Sequence, residues 1–107
     1  MLWQPITATE LQALVQEQEQ QLSRLQQDRF AAYRVKPWSA VLVRSSATGP
    51  EPVFVVAQRG NKVLYFDDVE FGFEVAVVDA EGQIVNPGAP QNVLADVVDD
   101  WWTFASE

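Results

Sequence analysis

The side chains of this chain that could do chemistry are nearly all carboxylates. Asp67, Asp68, Glu70 and Glu74 lie close together in sequence, Asp79 and Glu81 follow, and Asp96, Asp99 and Asp100 form a second group near the end. Two carboxylates set across a cleft can hydrolyse a glycosidic bond, and spaced oxygen ligands can hold calcium. The arrangement favours neither. A sheet as small as this chain can build leaves little room for a glycosidase cleft. Neither Asp67-Asp68-Val69-Glu70 nor Asp79-Ala80-Glu81-Gly82 reproduces the ligand spacing of an EF-hand loop, and ordinary turn chemistry accounts for both.

Other catalytic groups are missing from the composition. There is no His and no Cys, which removes the commonest general base, the usual nucleophile and base pairing, and most zinc or copper sites. The glycines are scattered singly and form no phosphate-binding loop. The expectation is therefore a protein that is not an enzyme and uses no metal or other cofactor.

What remains is charge. The net charge is −8, and its distribution is one-sided: all seven Lys and Arg lie at or before position 62 with five acids, whereas ten acids and no base follow. Such a field attracts basic surfaces and repels nucleic acid. The expected function is a small acidic binding protein, most specifically an inhibitor or immunity-type protein. Its acidic C-terminal half would dock on a basic partner such as a toxin or a nucleic-acid-handling enzyme. The residues expected to make that contact are Asp67, Asp68, Glu70, Glu74, Asp96, Asp99, Asp100 and Trp102.

Trp102 enters that set because an aromatic rimmed by Asp99 and Asp100 has the composition of an interface hot spot facing a basic ring. The plainer expectation is that Trp101 and Trp102 are both mostly buried, since small domains complete marginal cores with large aromatics. Adjacent in a helix, they must point different ways, one into the core and the other against Trp3 or Trp38 or out toward a partner. Two further roles fit the same composition. A secretion-chaperone or assembly-factor dimer would hold a client segment on an apolar sheet face, and a structural subunit of a larger complex would bury the tryptophans permanently.

The elements that must position these residues follow from pattern. With 107 residues and 12.0 kDa, the chain suits one domain, residues 1–107, with one core. Thr7 and Glu10 have the spacing of a capping box, with Ile6 and Leu11 as a hydrophobic staple around it. From there to about Tyr33, helix formers and an apolar stripe including Leu11, Val15, Leu22 and Leu25 predict one long helix of about 37 Å. Its Gln-rich stretch, residues 16–21, reads as a solvated face. A coiled-coil seam through Leu11, Val15, Gln18, Leu22, Leu25 and Arg29 is the sharper alternative, weakened by its polar positions.

Pro37 ends helical continuation, and Trp38 to Arg44 predicts the first strand. Ser45 to Pro52 reads as a loop. Gly60-Asn61 is a two-residue hairpin turn, which predicts Arg59 opposite Lys62, Ala57 opposite Leu64, Val55 opposite Phe66, Val53 opposite Asp68, Gln58 opposite Val63, Val56 opposite Tyr65 and Phe54 opposite Asp67. Phe71 to Val78 alternates with a core side of Phe71, Phe73, Val75 and Val77. Gly82 suits a left-handed turn position before a short run, Gln83 to Val85, that could add a fifth strand. Asn92 is the expected N-cap of a C-terminal helix carrying Leu94, Val97, Val98 and Trp101.

The expected fold is α+β, with a long N-terminal helix, a four-stranded and mainly antiparallel meander, and a C-terminal helix. One helix would cover the aliphatic sheet face, and the other face would meet the second helix or another subunit. Two apolar faces and an overlong helix make room for a homodimer. The opening residues carry neither a basic start nor a signal-length apolar run, and no segment approaches the roughly 20 apolar residues that span a bilayer. A soluble, cytoplasmic protein without membrane contact is expected, and the lack of Cys suits that compartment.

Overall fold

In a computed structural model of the chain, which describes residues 6–43, 50–68, 71–85 and 92–107, the helix start signal is met atom by atom. The Glu10 N–H donates to Thr7 Oγ1 at 3.1 Å while the Thr7 N–H donates to Glu10 Oε1 at 3.1 Å, and Ile6 packs on the core beside buried Leu11. This opens α1, Ala8–Glu19. The helix does not run on to Tyr33. Ser23 and Gln26 form a second capping box, with bonds of 3.1 and 3.0 Å, and start α2, Arg24–Tyr33. The Ser-x-x-Gln spacing satisfies two backbone N–H groups that a continuous helix would bond internally, so the chain can turn there at little cost. At the break, Gln27 Nε2 donates to the carbonyls of Glu19 and Leu22 at the end of α1, and Leu22 is buried.

Five strands follow: β1, Arg34–Val43; β2, Pro50–Arg59; β3, Lys62–Asp67; β4, Gly72–Val78; and β5, Gln83–Val85. The class is α+β, and the short fifth strand is present. Successive strands pair antiparallel, and β1 then pairs in parallel with β5, through Val41 opposite Gln83 and Leu42 opposite Ile84, to close a barrel. An odd number of up-and-down strands leaves the first and last running the same way, so closure has to be parallel. Among the described residues Gly60, with φ 61°, and Gly82, with φ 76°, take left-handed conformations at turns, where a Cβ would strain the backbone.

Curvature comes from irregular pairing. Outward from the turn, β2 and β3 keep the expected register through Arg59–Lys62, Gln58–Val63 and Ala57–Leu64. The register then slips by one, placing Val55 opposite Tyr65 and Phe54 opposite Phe66 in place of the expected Val55–Phe66, Val56–Tyr65 and Phe54–Asp67 pairs. Val56 is the extra residue of a bulge, and a bulge bends its strand and reverses which residues face each side. On the other flank of β2, Arg34 pairs with Ala57 and Trp38 with Val55, so Val35 to Pro37 drop out of the ladder.

The result is two apolar layers. Ala40, Leu42, Val55, Val63, Tyr65 and Ile84 fill the barrel. On its outside, Val56, Leu64, Phe66 and Phe73 meet Leu11 of α1, Phe30 of α2 and Trp101 of α3, Leu94–Ser106. The expected arrangement, an open sheet with one helix on a face and a second cover opposite, is thus replaced by a barrel whose lumen is one face and whose three helices share the other. The helices pack against β2, β3 and β4, so both apolar layers are built within one chain, and the single overlong helix expected from the sequence is two shorter ones. Phe71, expected on the core side of β4, is instead 63% exposed at the turn before it, with its ring edge-on to Phe66 at 5.4 Å.

Candidate binding surface

Strand alternation decides where the first group of acids points. Val63 and Tyr65 face the lumen, so Asp67 two residues later does as well; Ala76 and Val78 face it, so Glu74 does too. Glu51, opposite Leu42, joins them from β2. Asp67 is fully buried and offers no surface to a partner. Glu74 is half-buried, and its Oε1 accepts from the Val75 N–H at 2.9 Å. Asp68 accepts from the Ile6 N–H at 2.8 Å, tying the entry to α1 onto the end of β3. Glu70 lies outside the described residues. Among the described residues no three acidic side chains come together as a metal site.

The second group rides on α3. Its apolar stripe, with Leu94, Val97, Val98 and Trp101 buried, fixes the helix against β3, β4 and α2, so its remaining rows have set directions. Asp99 and Trp102 share the row that meets α2. Asp99 Oδ1 takes Arg29 Nη1 at 3.0 Å, and Gln26 Nε2 reaches Asp99 Oδ2 at 3.4 Å. Trp102 stacks on Tyr33 at 5.7 Å with Arg29 over its ring at 5.6 Å. It therefore packs on Tyr33 instead of Trp38, and Trp3, the other expected neighbour, lies outside the described residues. Trp101 is enclosed, edge-on to the same tyrosine. Asp96 and Asp100 lie on the outward row, exposed, and among the described residues no cation pairs with either.

Both ends of α3 are held from a distance in sequence. Its N-cap, Val93, has no side-chain oxygen for the task, and Asn92, the expected cap, instead bridges to Phe73 with a 2.8 Å backbone bond. The acceptor comes from α1: Gln18 Oε1 takes the Leu94 N–H at 2.7 Å. At the other end, Arg59 Nη1 donates to the Ala105 carbonyl at 2.6 Å and Lys62 Nζ to that of Phe104 at 2.9 Å. Those cations meet the negative end of the helix dipole, where its acids would otherwise be poorly placed.

The negative half expected from the sequence is accordingly divided. Arg29, Arg59 and Lys62, all from the earlier part of the chain, return to α3, while the strand acids turn inward. Of the eight residues expected to dock, the structure keeps Asp96 and Asp100 on one open face, ties Asp99 and Trp102 to α2, and puts Asp67 and Glu74 on the lumen side. The contact of Gln18 with the Leu94 N–H corrects the expectation of a purely solvated glutamine face over residues 16–21, although Gln16, Gln20 and Gln21 are exposed. The Ser23-x-x-Gln26 spacing was the local signal for the start of α2, from which Gln26 reaches α3. Among the described residues no helix is long and apolar enough to cross a membrane. Compared with protein-family models, curated proteins and solved structures, the chain matches none.

Proposed function

We propose that this chain is a non-catalytic, cytoplasmic binding protein of the inhibitor or immunity type, which engages a basic protein partner through the outward face of α3. The observation that supports this best is the pair Asp96 and Asp100. They stand one helical turn apart on an anchored helix, exposed, with no cation among the described residues paired to either. Like charges at that spacing repel each other and destabilise a helix, and a cationic side chain placed between them reverses the sign. Holding the helix at both ends presents the carboxylates without an ordering cost on binding, and the surrounding negative potential speeds encounter with a basic surface.

The role of holding a client on an open sheet face draws no comparable support, because one face lines the barrel and the helices cover much of the other. The test uses the full chain immobilised and exposed to native lysate, beside the Asp96→Asn/Asp100→Asn double variant. A basic protein should be retained by the wild type, lost or much reduced with the variant, and released between about 0.1 M and 1 M salt as the screening length falls from about 10 Å to about 3 Å. Equal retention by both, or elution indifferent to salt, overturns the proposal.

A further inference from the structure

Among the described residues, the place where β1 and β2 both leave regular register also carries a pocket. Between α1, α2 and the start of β1 lies a cavity of about 440 Å³, within the range of about 300–1,000 Å³ that small-molecule sites occupy. Val15 and Val56 are among its apolar lining, with Val35 and Pro37 beside them, and Gln12, Arg34 and Lys36 supply its polar groups. Val56 is the bulged residue of β2, and Val35 to Pro37 are the residues that β1 loops out of the ladder. Bulges re-aim side chains and are over-represented beside functional sites. Here two of them open the same crease.

Its charge is opposite to that of the molecule. In a chain of net charge −8, both ionisable residues lining this pocket are cations, and no acid lines it. Arg34 is oriented by an ion pair to Glu19 and by the Phe30 ring, 5.4 Å from its guanidinium carbon, which leaves further N–H donors of the five on its head group. Among the described residues Arg24, Arg29, Arg59 and Lys62 each have a carboxylate or carbonyl acceptor within the chain. Lys36 is exposed and has none. The overall negative field does not forbid an anion at this point, because at physiological salt charges beyond about 8 Å are largely screened.

We infer that this pocket binds a small amphipathic anion, its apolar part against Val15, Val35, Pro37 and Val56 and its acidic group on Lys36, shared with Arg34. The site is separate from the outward face of α3 and does not depend on it.

The experiment is an amide-resolved NMR titration of the full chain with three probes: octanoate, octan-1-ol and inorganic phosphate. Octanoate should give saturable shifts at the amides of Gln12, Val35, Lys36 and Val56. Octan-1-ol should bind at least about fivefold more weakly, and phosphate should fail to saturate by about 10 mM. Lys36→Glu should weaken octanoate about tenfold, an effect of the size that a charge-assisted contact gives. Lys36 is exposed and outside the ladder, so the spectrum of the variant should keep its dispersion; the octanoate and octan-1-ol comparison on the wild type tests the proposal without any substitution. No saturable shift, shifts centred elsewhere, equal binding of octan-1-ol or phosphate, or an unchanged affinity in Lys36→Glu overturns it.

Discussion

Replacing Gln18 by Ala tests whether the start of α3 is held by a side chain from α1. The Leu94 N–H is one of the amides that a helix start leaves without an internal partner, Leu94 itself is buried, and the bond it donates to Gln18 Oε1 is short, at 2.7 Å. Removing the acceptor leaves that donor with poor access to water, which costs about 1–3 kcal/mol; partial exposure of the bond favours the lower half, about 1–2 kcal/mol. For a chain of this length a loss of 1 kcal/mol lowers the melting temperature by about 4 °C. Gln18→Ala should therefore melt about 4–8 °C below the wild type.

Two controls give that number its meaning. Gln20 lies in the same glutamine stretch and is exposed, so Gln20→Ala should stay within about 0.5 kcal/mol of the wild type. Gln18→Glu keeps an acceptor oxygen and adds negative charge at a helix N-terminus, where it is favourable; it should recover most of the loss despite the chain's already negative balance. Urea unfolding at constant slope, with calorimetry beside it, reads all three. If Gln18→Ala and Gln20→Ala are equally mild, Gln18 is a solvated surface residue and α3 is not capped from α1.

The far end of α3 and the turn between the first two helices give further tests. Arg59→Met with Lys62→Met keeps the aliphatic bulk and removes the cations from the last carbonyls, at about 0.3–1 kcal/mol each. Hydrogen exchange at Phe104 and Ala105 should quicken while exchange in β3 holds, and equal protection would show that the two cations are not bound there. Ser23→Ala should cost about 1 kcal/mol through the lost cap, and Ser23→Asp should restore it. Chemical denaturation reads both, and a stabilised Ser23→Ala would mean that one continuous helix is the better structure for this stretch.

Local physics, legible in the sequence, determined much of the fold. Thr7 and Glu10 start α1, Gly60 and Asn61 turn the hairpin, Gly82 takes the left-handed position, and the alternation from Phe73 to Val78 makes a strand; each depends on residues within about one turn of each other. The α+β class and the order of elements follow from such signals. Ser23 and Gln26 were of the same local kind, masked by a surrounding stretch of strong helix formers.

Tertiary structure alone decided the rest, because the deciding partners are far apart in the chain. The bulge at Val56 depends on how β2 must curve to close onto β1 and β5, and no property of a valine announces it. Once the barrel closes, Asp67 and Glu74 face inward, and acids that look like one charged surface in the sequence separate into lumen and exterior. Arg29, Arg59 and Lys62 return to α3 across separations of 42 to 70 residues, so the one-sided charge along the chain becomes a partly compensated one in space. Left exposed among the described residues, with others such as Glu17 and Glu81, are Asp96 and Asp100 on one face and Lys36 beside a pocket made where two strands fall out of step.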